Sequence, residues 1–508
     1  MKRYTLLATM VLVGASAMAQ NSYDAYSNAS SDLNGTARYV GMGGALSALG
    51  GDISVMGTNP AGTGMFRKSD ATFTLSGVFG DEGVLGHDGT RMSIDNAGVV
   101  IALPVEEGSL NYVNFGINYS KSKNHLFNLN TGIDNLDGIF SQTYQVAGMV
   151  NSCIDAFGWN GIDSWGSFPY QSMSLINDKD KDVDGNYNAN QLVLNDNKFP
   201  DYYTGLGADN ASYQKSQWGH TSQTDANLSF NLLDKYFIGF SLGFYNIDKH
   251  TESYYYENSV DGSAYDIYNY YDTRGDGFDV KLGFICRPID DSNFRFGIAV
   301  HTPTWYKMED ICGSNIMLYS NNGLDYSSSE YLDPWDYNYR TPWKFGFSLG
   351  HTIGDYLALG AEYEYTDLST AKYTQYSDFV GDYFYEQNEY IKANLKGQST
   401  IKVGMEVKPS PSFSVRAGYN LVTSPFKDKA YNLLSYLDNF TNTEYTNWKD
   451  THRFTVGLGY RYKGGYIDLA YQYQTQKGDL YAFDDVDLKA TEINNDRSQL
   501  MCTFGFRF

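Results

Sequence analysis

The chain has 508 residues, a formal charge of -22 at pH 7, a mean hydropathy of -0.42, 45 tyrosines and 51 glycines. That acidity excludes nucleic-acid binding, which needs clustered Lys and Arg. Four cysteines are too few to scaffold a secreted chain of this size. Past the N-terminus, no apolar run approaches the length of a membrane-spanning helix.

The chain opens on Lys2 and Arg3, a mostly apolar stretch over 4–16, and the small-x-small site Ala17-Met18-Ala19 before Gln20. That order reads as a cleaved secretory signal peptide over 1–19, too short in its apolar core to anchor in a bilayer. Residues 20–69 do not alternate, and small residues dominate them, with Gly41, Gly43 and Gly44 followed by Asn59, Pro60 and Ala61. Such a segment suits a narrow space, and 42–49 is expected as a short helix.

From residue 70 onward the pattern changes to period two. Segments 71–79, 93–103, 110–122, 224–233, 236–247, 277–287, 293–302, 341–351, 356–365, 399–408, 413–421, 452–462, 466–475 and 497–508 alternate apolar with small or polar residues. In the twelfth, Phe454, Val456, Leu458, Tyr460 and Tyr462 alternate with Arg453, Thr455, Gly457, Gly459 and Arg461. Strands greasy on one face and wet on the other suit a barrel in lipid, which must close because an open edge leaves unpaired backbone in hydrocarbon. The connections alternate long and short, and the long ones at 123–223, 251–276, 303–340, 366–398, 422–451 and 476–496 read as extracellular loops. The expected fold is all-β: a transmembrane antiparallel β-barrel of about 14 strands over 70–508, with 20–69 as a periplasmic plug inside it. The final strand ends on Phe508 and resembles the terminal strand of bacterial outer-membrane barrels, the end that the outer-membrane assembly machinery reads.

The order Gly41-Met42-Gly43-Gly44-Ala45, then Asp52, then Asn59-Pro60-Ala61, then a first strand, resembles the hatch of the FadL/TodX family. These are outer-membrane transporters of long-chain fatty acids and other hydrophobic compounds. The resemblance implies non-covalent transport with outer-membrane lipid around the barrel and a hydrophobic small molecule inside it. Capture by the outer loops would be followed by plug movement or by opening of the wall in the third strand, where Gly116 is the candidate weak point. It also implies that Asn59, Pro60 and Ala61 anchor the plug. The reading from another class is a surface receptor or structural barrel that binds a protein or glycan without passage.

No nucleophile elbow, Walker loop or zinc-protease motif is present, so no enzyme activity and no cofactor is expected. Asp180, Asp182 and Asp184 resemble half a calcium loop, but Gln191 stands where the bidentate glutamate belongs, and an acidic solvated loop is the simpler reading. Cys286 and Cys502 fall on apolar strand phases, and Cys153 and Cys312 fall in expected loops, where a bridge between them has only the even count in its favour. Inward phases carry charges of both signs, among them Lys281, Arg287, Arg295, Lys402, Glu406, Arg416, Arg453 and Arg461, and internal ion pairs are their default role. Nothing in the sequence selects the residues that would touch a substrate.

Overall fold

The computed structural model describes residues 21–105, 108–148, 177–178, 203–320, 323–331, 334–375, 384–432, 443–485 and 487–508. Residues 1–19, expected as a signal peptide, and Cys153, Asp180, Asp182 and Asp184 lie outside them. Fourteen antiparallel strands form one closed wall. They are β1 (Asp70–Phe79), β2 (Thr90–Pro104), β3 (Leu110–Asn124), β4 (Ala208–Leu232), β5 (Tyr236–Ser259), β6 (Ala264–Cys286) and β7 (Arg295–His301). The circuit continues through β8 (Lys344–Ile353), β9 (Leu357–Asp367), β10 (Gly397–Ser410), β11 (Phe413–Val422), β12 (Tyr445–Tyr462), β13 (Gly465–Tyr481) and β14 (Arg497–Arg507). The cylinder closes where β1 pairs with β14, from Asp70 opposite Arg507 to Phe79 opposite Ser498.

Alternation decides what each face meets. On β12, Phe454, Val456, Leu458 and Tyr460 are exposed, while Arg453 and Thr455 on the alternate phase are buried. The same exposed apolar phase recurs on β5 (Ile238, Phe240, Leu242), β8 (Phe345, Phe347, Leu349) and β14 (Leu500, Phe504, Phe506). A belt of this kind is stable only against hydrocarbon. Cys286 and Cys502 lie on it, both unpaired.

Three features differ from the sequence reading. The first concerns 251–276, expected as a loop. These residues are strand on both sides of a turn at 260–263, so β4, β5 and β6 run 25, 24 and 23 residues and the wall rises well past the belt. Beyond Ile247 both faces are polar or aromatic, so the hydrophobic signal fades while the backbone ladder continues. For the same reason Cys312 lies buried in a strand, Trp305–Ser320, and not in a loop. Second, 42–49 is a run of turns, not a helix; Gly43 (φ 63°) and Gly44 (φ 81°) break the helix Ala37–Gly41 just after it forms. Third, residues 21–69, called the plug below for their place inside the wall, are not confined to the short-turn end. Its first helix, α1 (Ser22–Ala29), packs against Tyr339, Tyr373, Ile391 and Phe426 at the long-loop end, and the chain descends from there to β1.

Candidate functional site: a cavity above the plug

The plug is seated by close backbone contact in its lower half. Gly360, Gly404 and Gly418 stand in register across β9, β10 and β11. A Cβ on Gly404 would lie 2.1 Å from the Met42 carbonyl oxygen, one on Gly418 2.2 Å from the Gly43 nitrogen, and one on Gly360 2.0 Å from the Ala45 oxygen. The three glycines form a flat trough that the plug backbone lies in. Gly41 itself packs on Gly457, whose Cα is 3.2 Å from a Cβ built at Gly41.

Asn59, Pro60 and Ala61 meet the opposite wall. Asn59 Oδ1 accepts from the Ala61 amide (3.1 Å) and caps the 3-10 turn Pro60–Met65, while its Nδ2 donates to the Ile298 carbonyl (3.3 Å). The Pro60 carbonyl accepts from Asn227 Nδ2 (3.3 Å), and Ala61 packs on Phe237 and Ile285. Gly239 and Gly283 leave room for this tripeptide.

Gly116 does not kink β3. Its ladder runs unbroken to Val100 on one side and Asn227 on the other, and the two irregularities in β3 lie at 110–112 and 121–123. The missing side chain instead admits Met56 of the plug, whose Cε would lie 2.1 Å from a Cβ. The wall is closed there.

Ion pairs run along the inner wall at mid-height. Lys281 Nζ lies 2.8 Å from Asp225 and 2.6 Å from Asp279, Lys402 lies 2.8 Å from Glu362 and 2.7 Å from Glu364, and Arg416 bonds Glu406 (2.7 Å) and Asp468 (2.5 Å). Arg38 of the plug joins Glu406 at 3.1 Å. Each cation there has a carboxylate on the wall, which is the condition for keeping buried charge.

Above this level lies a cavity of about 370 Å³ between α1 and the long loops. One side is aromatic: Tyr23 stacks on Phe426 (ring centroids 4.8 Å) and lies 5.5 Å from Tyr445, Tyr26 packs edge-on to Phe426, and Phe127 meets Trp448. The other side is cationic, with Lys123, Lys215, Lys249, Arg453 and Arg497 all lining the space. Asp32 of the plug lies 2.6 Å from Arg497 and 3.4 Å from Arg453, and Asp24 lies 3.3 Å from Lys249. Burial favours the neutral acid at Asp32, but Arg497 and Arg453 outweigh it and hold the carboxyl well below its usual range. Lys123 donates to the Ser27 carbonyl and to Ser30 Oγ, both at 2.6 Å, and both neutral. Enclosure pushes its ammonium down to about 7, with Asp32 acting against the shift and Lys249, Arg497 and Arg453 adding to it. The cavity thus joins an aromatic wall to a cluster with more positive than negative charge.

Arg453 was legible as an inward charge, but Lys123, Lys249, Arg497 and Asp32 were not singled out by sequence. The usable signal was the inward phase of β5 past the belt, where Ile247, Lys249 and Thr251 continue one face. Among the described residues, no group of three or more His, Cys, Asp or Glu side chains is placed to hold a metal ion. No described helix is long and apolar enough to cross a membrane.

No protein-family model and no curated protein matches the chain. Solved structures similar to it include the Pseudomonas putida toluene transporter TodX, 12% identical over 94% of this chain and 99% of that one, with a TM-score of 0.48. The CymD monoaromatic hydrocarbon channel is 11% identical over 94% and 99%, with a TM-score of 0.47. A Pseudomonas aeruginosa FadL homologue is 14% identical over 94% and 98%, with a TM-score of 0.46.

Proposed function

We propose that the chain carries an anionic amphiphile, such as a long-chain fatty acid, across the outer membrane without covalent chemistry. The observation that carries this reading is the cavity of about 370 Å³ with Tyr23, Phe426 and Tyr445 on one side and Lys123, Arg453 and Arg497 on the other. An apolar tail leaves water for the aromatic wall. A carboxylate head gains charge-assisted hydrogen bonds from the two guanidinium groups and the ammonium. Asn59, Pro60 and Ala61 hold the lower plug against β4 to β7, so the part that yields is the upper plug, α1 and the stretch through Asp32. Passage runs through plug movement, because the ladder at Gly116 has no break.

The test is mass spectrometry of small molecules that co-purify with the detergent-solubilised protein, wild type against Arg453→Gln/Arg497→Gln. Carboxylate amphiphiles retained by the wild type and lost from the variant support the reading. A wild type that retains only neutral compounds, or none, refutes it.

A further inference from the structure

The geometry points to a second anion site at the short-turn mouth, formed by Arg287 and Arg295, that takes the carboxylate of the amphiphile as it leaves the plug; the assignment of its occupant rests on the transport reading above. β6 and β7 pair with Phe296 opposite Cys286. Carried one step past its last pair, that register sets Arg295 against Arg287, and Arg287 acts electrostatically on Arg295. Both are on the inward phase, because Cys286 and Phe296 are on the outward one. Like charges directly opposite on one face of a sheet repel.

Among the described residues, neither arginine forms an ion pair with a carboxylate to offset this. Arg295 Nη1 donates to the Leu49 carbonyl at 2.6 Å, and its Nε is buried with no hydrogen-bond partner among the described residues. Arg287 bonds the Asp234 carbonyl (3.4 Å), the Ser292 carbonyl (3.4 Å) and Asn293 Oδ1 (3.1 Å), all neutral. The charged side chains that act on Arg295 are Arg287, Arg67 and Arg38, all positive. Of the nearby carboxylates, Asp234 is taken by Arg67 at 2.8 Å and Asp290 by Lys235 at 2.6 Å. Arg38 is spent on Glu406 and Asp52.

This contrasts with the mid-lumen, where Lys281, Lys402 and Arg416 each hold wall carboxylates. Along the axis, the wall ion pairs at plug level therefore give way, at the short-turn mouth, to two inward arginines with no carboxylate partner among the described residues. An anionic head finds a binding position at each end and none between. Leu49 lies at the junction of plug and mouth, and its carbonyl holds Arg295 at the point where a chain passing the plug would emerge.

Two measurements on the full-length protein test this. Crystals soaked with 12-bromododecanoate, and separately with sodium bromide, give anomalous maps. A carboxylate between Arg287 and Arg295 with the bromine on a tail toward the plug supports the site; bromide there with no amphiphile, or neither, overturns it. In proteoliposomes, Arg287→Gln lowers dodecanoate flux by about tenfold, the loss expected for one charge-assisted bond. It leaves dodecanol flux unchanged, and Arg287→Lys restores dodecanoate. A structural defect would lower both fluxes, and heat-modifiable gel migration reports folding separately. Equal dodecanoate flux in wild type and Arg287→Gln overturns the mouth site alone. A wild type that moves neither probe overturns the transport reading itself.

Discussion

Gly404→Ala forces a choice between plug and wall. The new Cβ would lie 2.1 Å from the Met42 carbonyl oxygen, and no real Cβ sits closer than 3.0 Å, so something must retreat by about 1 Å. The wall resists: Gly404 is paired on both sides, to Gly360 and to Gly418, and those bonds cannot open in a membrane without leaving bare backbone groups. The plug therefore yields. Overpacking of this kind costs about 1–3 kcal/mol, which raises the undocked fraction of the plug by roughly 5- to 150-fold. Planar-bilayer recording reads the displaced plug as open-channel current, and heat-modifiable migration reads the barrel as intact. Gly346→Ala is the control, because its Cβ meets the Ala299 Cβ at 3.6 Å and the Ala299 carbonyl oxygen at 3.9 Å, both ordinary contacts. If Gly404→Ala conducts no more than Gly346→Ala, or if it unfolds the barrel, the argument that these glycines make a trough for the plug is wrong.

Two further outcomes follow from the plug and the cavity. Burial pushes Lys123 down to about 7 from the ordinary lysine value of 10.5, so it gains its proton as pH falls through neutrality. Dodecanoate binding, measured by titration calorimetry, tightens by roughly tenfold between about pH 8 and about pH 6, and Lys123→Gln flattens that profile. The same shift has the opposite sign for stability. Between about 7 and 10.5 the unfolded chain holds more protons at this group, so its contribution to stability rises with pH across that window. Asn59→Ala removes the cap on Ala61 and the bond to Ile298, and costs about 1 kcal/mol of plug docking, visible as faster trypsin cleavage at Arg67 with unchanged barrel migration.

The barrel was legible because the membrane imposes a two-residue period, and β12 and β5 obey it over their full span of belt. The site was legible only in parts. Arg287 and Arg295 could be read as inward charges, but their direct opposition depends on how the turn at 287–294 sets the register. Gly360, Gly404 and Gly418 could each be read as inward and small. That they line up, and that Met42 to Ala45 lie on them, is a fact of strand stagger that no local pattern carries. The cavity cluster was least legible, since Asp32 and Arg497 are 465 residues apart in the chain and meet only once the cylinder has closed. The failure at 42–49 is different in kind. There a plausible helix ignored the positive φ that Gly43 and Gly44 adopt to follow the wall.

The lumen charges sort by what happens when the upper plug leaves. Lys281 keeps Asp225 and Asp279, and Lys402 keeps Glu362 and Glu364, because all of these belong to the wall. Arg453 and Arg497 lose Asp32, and Lys249 loses Asp24. Exposing several enclosed cations at once costs about 3–5 kcal/mol for each pair broken, so the plug does not leave unaided. A ligand carboxylate in the cavity changes this, because it can take the position of the Asp32 carboxylate on the same two guanidinium groups. One carboxylate replaces another, and the free energy of plug release falls by the ligand's preference for the released state. Asp32→Asn should then mimic the first half of the exchange. The variant leaks in planar bilayers without ligand, and it binds dodecanoate more tightly than the wild type, because its carboxylate no longer competes. A variant that stays silent and binds dodecanoate more weakly would mean that Asp32 helps to hold the ligand and does not hold its place.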